Sequence, residues 1–288
     1  MAISISLINM KGGVGKTTLA AQLAHAAARR DLRTLAVDLD PQANLSQALL
    51  SPETYVKHLR DKRPTIVQIF EQYFPPTEGS SSPQPLDIGQ VILKKPTYSS
   101  KLDLIVSRLE LSHTLKNPTG KERRLAKALS RVADEYDLIL IDCAPTESIL
   151  TEAAYHASRY ALVPVKPEFL ATIGLPLLAR SIREFKYENG DHALDICGIV
   201  FNHSSSYSDG PEGSTSIKEV QAEAKKNGWP VFETHVRYSR SYAKAAREGT
   251  PIGSTSHVRW HVSGEFSRLL MSSSRRSDLH RKSNDVVV

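Results

Sequence analysis

The chain has 288 residues, with 37 Lys and Arg against 31 Asp and Glu, a net charge of +6 and a pI near 9.2. Its hydrophobic content of 40% supports a packed core in one large or two small α/β domains, and its modest basicity permits a polyanionic partner. No apolar run approaches the roughly 20 residues needed to cross a bilayer, and no apolar leader precedes the first strand-like run, so no secretory signal is expected.

Cys143 and Cys197 give neither a disulfide framework nor a zinc spacing, and a reducing, cytoplasmic setting is expected. His257 and His261 are spaced i, i+4 without a further ligand pattern and read as ordinary polar residues.

Ile3-Ser4-Ile5-Ser6-Leu7-Ile8 predicts the first strand. Met10-Lys11-Gly12-Gly13-Val14-Gly15-Lys16-Thr17-Thr18 follows it directly, and Leu19 to Arg30 is an alanine-rich helical stretch. A strand, a glycine-rich turn and Gly-Lys-Thr at a helix start form a phosphate cradle. The glycines bring backbone N–H groups close to phosphate oxygens, and the helix adds the positive end of its dipole. In this layout Lys16 supplies charge to the β- and γ-phosphates and the Thr17 hydroxyl is placed for Mg²⁺. The usual loop has glycine five positions before Gly15. Here Met10 stands there, and a second cation, Lys11, opens the loop.

Further along, Leu35-Ala36-Val37 predicts a short buried strand ending at Asp38, and Asp40 follows two residues on. If the chain stays extended, both carboxylates face one site; the alternative is a capped turn before a helix at Leu45. Residues 75–90 read as a polar, proline-rich loop. Leu102–Val106 predicts a strand, 121–135 a helix, and Leu138-Ile139-Leu140-Ile141 a strand that delivers Asp142, the layout of a carboxylate that supports Mg²⁺ through water. A helix over 147–158, a strand over 160–165, a helix over 171–187, a strand over 196–201, a loop over 204–214 and helices over 215–227 and 239–247 complete the pattern. Alternation of this kind, with strands apolar on both faces, predicts an α/β fold: a doubly wound, mostly parallel sheet with helices on both faces. Residues 1–271 are expected to form one domain, with 272–288 as a polar tail.

The motifs resemble the deviant Walker A box of the ParA/MinD ATPases, Lys-Gly-Gly-x-Gly-Lys-Thr-Thr, at Lys11 to Thr18. Asp38-Leu39-Asp40-Pro41-Gln42-Ala43-Asn44 resembles the family's Walker A′ box. Asp142-Cys143-Ala144-Pro145-Thr146 is similar to its Asp-Cys-Pro-Pro-Ser, with Ala144 in place of the first proline. Pro164-Val165-Lys166-Pro167-Glu168, followed by Gly174-Leu175, resembles Pro-Val-x-Pro-Glu…Gly-Leu. The likeness covers roughly residues 1–270 and is closest to ParA/Soj-type partition ATPases; it departs at 203–214.

The resemblance implies ATP and Mg²⁺ as cofactors, with Gly12, Gly13, Val14, Gly15, Lys16, Thr17 and Thr18 around the phosphates and Asn202 near the adenine. It implies a homodimer closed by ATP, in which Lys11 reaches the partner's nucleotide. Asp40 would position or activate the attacking water, Asp38 would help order the metal shell, and hydrolysis would be slow and stimulated by a ParB-like adaptor.

Two surfaces are open to such a switch. Membrane attachment needs an amphipathic helix, and the polar sequence after Leu269-Leu270-Met271 has no apolar stripe, so no membrane partner is expected. Arg237, Arg240, Lys244 and Arg247 are spaced 3, 4 and 3. On one helix they would share a face, which suits nonspecific DNA and a nucleoid-associated location. A solvated basic face is the alternative. A partition ATPase for a plasmid or chromosome is the leading expectation. A positioning ATPase for a protein cargo, such as a microcompartment or chemoreceptor cluster, and a metabolic ATP-dependent enzyme on the same fold stay open.

Overall fold

Strand β1 (Ile3–Leu7) runs into helix α1 (Lys16–Ala28) and returns as β2 (Thr34–Leu39). Three helices follow: α2 (Asn44–Leu50), α3 (Pro52–Arg60) and α4 (Ile66–Glu71). A two-residue antiparallel pair, β3 (Tyr73–Phe74) with β4 (Gln84–Pro85), precedes α5 (Ile88–Val91), β5 (Ile92–Leu93), β6 (Leu102–Ile105), α6 (His113–Lys116) and α7 (Arg124–Ser130). The second half alternates: β7 (Leu138–Cys143), α8 (Ile149–Ala157), β8 (Tyr160–Val165), α9 (Ala171–Glu188), β9 (Asp195–Ser204), α10 (Gly210–Lys226), β10 (Val236–Arg237) and α11 (Ser241–Glu248). This computed structural model describes residues 2–76, 82–96, 99–168, 171–190, 192–204 and 210–254.

Eight strands form one sheet in the order β10-β9-β8-β1-β7-β2-β6-β5. Every pair is parallel except the edge pair β5–β6. The expected doubly wound sheet is therefore present, with β1 at its centre between β7 and β8. Such a sheet binds ligands beyond the carboxyl ends of its strands, and the loop after β1 occupies that position.

Side chains alternate between two cores. Leu35, Val37, Leu39, Ile139 and Ile141 face one side, where α4, α7, α8, α9 and α10 pack; Ala36, Leu138 and Leu140 face the other, against α1, α2 and α11. The alanines of α1 let that helix lie close to the sheet, which fixes where its first residue, Lys16, stands. Each fully buried Leu, Ile or Val in these layers contributes on the order of 1.5–3 kcal/mol of transfer free energy, offset by the entropy of ordering the chain.

Several expectations are corrected. β2 continues through Asp38 to Leu39, because the backbone keeps pairing with β7 as far as Leu39 against Cys143. The 75–90 segment contains β4 and the start of α5. The helix expected over 215–227 begins at Gly210, inside the segment read as a Ser- and Gly-rich loop. The helix over 121–135 is shorter, with α7 followed by a 3₁₀ turn at Ala133–Glu135. Arg237 lies in β10 and Arg240 is the residue just before α11, so of the four basic residues only Lys244 and Arg247 stand within that helix. Residues 255–288, with His257, His261 and the expected tail, lie outside the described residues.

Candidate nucleotide site

The glycine loop closes as its sequence predicts. Gly13 and Gly15 take φ of 75° and 85°, the left-handed region that favours glycine. At Gly15 there is a second reason: an added Cβ would run into the Asn202 amide. Asn202 comes from the end of β9, is buried, donates Nδ2 to the Val14 carbonyl at 2.8 Å and accepts from His203 N at 2.9 Å. As placed, Asn202 buttresses the loop. Gly12 and Gly13 are exposed, Val14 is buried, and Thr17 and Thr18 are half-buried on the first turn of α1.

The two lysines of the loop have different surroundings. Lys16 is buried and donates Nζ to the carbonyls of Asn9, at 2.9 Å, and Lys11, at 3.1 Å. Burial holds its pKa below the usual lysine value, while Asp142, Cys143 and Asp40 pull the other way. A buried cation with only carbonyl dipoles for partners has strong unmet demand for anionic oxygen. Lys11 turns outward and pairs with Glu168 beyond the end of β8. Glu168 also accepts from Lys166 at 2.8 Å, and hydrogen bonds from both lysines hold its carboxyl below the usual range. Asn9 ties the two segments together: Oδ1 accepts from Lys11 N at 2.9 Å and Nδ2 donates to Pro164 O at 2.7 Å.

Three aspartates stand beside the loop. Asp38 and Asp142 are register partners on β2 and β7, on the α1 side of the sheet, and both are fully buried. Asp38 accepts from Ser46 Oγ at 2.6 Å, Ser46 N at 2.7 Å and Asp40 N at 3.2 Å. Burial outweighs these bonds and raises its pKa to about 7. Asp142 has no hydrogen-bond partner within normal distance for either oxygen. Burial first, then the Asp38 charge, push its pKa well up; the Thr17 hydroxyl and the Lys16 cation pull it down without making a normal bond. Asp40 is the first residue past β2. Its Oδ1 accepts from Gln42 N at 2.9 Å and its carbonyl from Ser107 Oγ at 2.7 Å.

Ser46 and Ser107 were not legible as site residues. Ser107 N donates to Ser46 Oγ at 2.9 Å, so Asp38, Ser46, Ser107 and Asp40 form one connected set that fixes the loop after β2. Glu168 was visible only as the last residue of a motif; its place just beyond a strand's carboxyl end was the available signal.

An orphaned, buried Asp142 carboxylate beside Thr17, together with a buried Lys16, fits a site for Mg²⁺ and phosphate oxygens. Among the described residues no group of three or more His, Cys, Asp or Glu could enclose a metal by itself.

The basic residues lie on and beside α11, which packs against α2. Arg240 caps α11, and Arg240, Lys244 and Arg247 are exposed, while Tyr242 and Ala245 bury the opposite face. Lys244 is 3.9 Å from Glu248. Arg247 also lines a cleft of about 480 Å³ between α1, α2 and α11, shared with Thr17, Thr18, Asn44 and Tyr242.

A family model described as an AAA domain matches residues 2–196. The chromosome partitioning protein ParA of Myxococcus xanthus is 36% identical over 253 residues, covering 86% of this chain and 80% of that one. The chain belongs to the ParA/MinD family of P-loop ATPases. Among solved structures, apo McdA from Cyanothece superposes with a TM-score of 0.77 at 18% identity, covering 94% of this chain and 99% of that one. The cell division ATPase MinD of Pyrococcus furiosus gives 0.69 at 22% identity, covering 96% and 99%. At those identities the structures show the shared fold. No described helix is long and apolar enough to cross a membrane.

Proposed function

We propose that this P-loop ATPase is a ParA-type partition ATPase: an ATP-closed homodimer that binds DNA nonspecifically and releases it when a cargo adaptor stimulates hydrolysis. The observation that carries the reading is the shared cleft: Thr17 and Thr18, at the nucleotide, line the same space as Arg247, on the exposed basic stripe of α11. One helix layer thus links the phosphate loop to a cationic surface.

In this reading the backbone of Gly12 to Gly15, with Lys16 and Thr18, holds the phosphates. Thr17 directly and Asp142 through water would hold Mg²⁺, which when bound neutralises phosphate charge. Asp38 acts on the metal shell through its carboxylate neighbour Asp142 and through the Ser46 tie. Asp40 orients the attacking water and takes its proton. Lys11 serves the partner's nucleotide, and dimerisation doubles the phosphate contacts the stripes make with DNA.

The slow, partner-stimulated turnover, the adaptor and a cytoplasmic, nucleoid-associated location belong to the same proposal. The printed role of the Myxococcus xanthus relative, a chromosome partitioning protein, supports the partition reading.

The test is ATP-dependent DNA binding by the double variant Arg240→Glu, Lys244→Glu at several salt concentrations. Weakened binding with intact dimerisation supports the reading; unchanged binding at every salt concentration overturns the DNA surface.

A further inference from the structure

We propose that Glu168 is a positioning residue for Lys11: it holds the lysine within its own subunit until a partner's nucleotide competes for it. The inference rests on the proposed cross-subunit role of Lys11.

Lys11 has a defined seat. Its backbone N–H is fixed by Asn9 Oδ1, and Asn9 Nδ2 is fixed in turn to Pro164 O at the end of β8. A tight turn, with Glu168 N donating to Lys166 O at 2.8 Å, sets Glu168 just beyond that strand. The start of the phosphate loop and the Glu168 turn are therefore one unit, and the Lys11 ammonium closes on the carboxylate across it. Lys16, five residues on, makes no such pair and points inward to carbonyls.

The pair is built to open. Lys11 and Glu168 keep 21% and 34% of their side-chain surface, so their attraction is screened and weak beside that of a polyphosphate. Glu168 is shared: Lys166 holds its other oxygen at 2.8 Å. When Lys11 leaves, the carboxylate keeps a cation, and no unpaired charge is stranded. Lys166 thereby weakens the hold on Lys11 by competing for the same carboxylate.

Two variants are predicted to move dimerisation in opposite directions. With the non-hydrolysable analogue AMPPNP and Mg²⁺, Glu168→Gln lowers the nucleotide concentration for half-maximal dimer by about two- to fivefold, the range expected of a partly exposed ion pair. Lys166→Met raises it by a similar factor. ADP affinity of the monomer, read by calorimetry, stays unchanged in both. A role confined to folding the turn would not produce opposite shifts. Unchanged midpoints, shifts of the same sign, or an altered ADP affinity in Glu168→Gln overturn the proposal. Lys11→Met separates the two levels. If it fails to dimerise while Glu168→Gln moves nothing, the positioning role alone falls. If it dimerises normally, the cross-subunit reading falls and takes this proposal with it.

Discussion

Asp38 and Asp142 face each other as register partners on adjacent parallel strands, both fully buried, and only Asp38 is satisfied by hydrogen bonds. Two carboxylates in one dry layer repel each other and resist ionisation. The arrangement is unfavourable for the free protein. On the proposed role of Asp142, an entering cation would relieve it.

That tension has a pH signature. Both carboxyls titrate above their ordinary values, Asp38 near 7, so the folded state binds their protons more tightly than the unfolded chain does. Their contribution to stability is fullest below about pH 4 and is lost as pH rises through the folded values. Asp142→Asn removes one ionisation and breaks no normal hydrogen bond. In thermal melts without nucleotide, the variant is expected to gain on the parent between pH 5 and pH 8, by on the order of 1–3 kcal/mol at the upper end. His25, buried and held down to about 4, acts in the opposite sense, losing stability as pH falls from about 6.5. The parent–variant difference cancels that background. A constant difference across the range contradicts the account.

Lys16 should show the same opposition between stability and binding. Lys16→Met removes a buried cation and keeps most of the stem. Nucleotide binding is expected to fall below detection while the melting temperature of the free protein holds or rises. Normal ATP affinity in calorimetry would remove Lys16 from the site.

Asp40 is set apart from Asp38 by its position past the strand end. Asp40→Ala is expected to lower turnover by about 10²–10⁴, the range of a positioned general base, and to leave a stable ATP-bound dimer in gel filtration. Turnover at the parent rate would rule out the role.

The serine tie links fold to chemistry. Ser46→Ala removes the hydroxyl that donates to Asp38 and accepts from Ser107 N. Leaving those buried groups unpaired costs about 1–3 kcal/mol, and the loop bearing Asp40 loosens, so both the melting temperature and turnover should drop. A variant with parent stability and parent turnover would show that the tie holds nothing in place.

How much of this was legible in sequence depended on the range of the signal. Continuous apolar runs marked β7, β8 and β9, because a strand covered on both faces must be apolar along its length. The two-residue strands β5 and β10 are too short to carry a pattern. Helix α3 buries only His58, so no apolar stripe announced it. The spacing of Arg237, Arg240, Lys244 and Arg247 imitated one helix face, yet pairing of Val236 and Arg237 with β9 took Arg237 out of it. At the site, Lys16, Thr17, Asp40 and Asp142 stood in local motifs. The Ser46–Ser107 bond joins residues 61 apart, and Lys11 and Glu168 are 157 apart; such pairs arise only when the sheet is assembled. The positive φ of Gly15 was foreseeable from the loop, but the Asn202 amide filling the space of its missing Cβ was not.

The proposed control of a DNA-binding surface by nucleotide state is tested by fluorescence anisotropy of a labelled nonspecific duplex with the purified protein in Mg-ATP, in Mg-ADP and without nucleotide. The account predicts binding with Mg-ATP that weakens steeply with salt, little binding in the other two states, and loss of the ATP effect in Lys11→Met. Equal binding in all three states, or no binding in any, would contradict it.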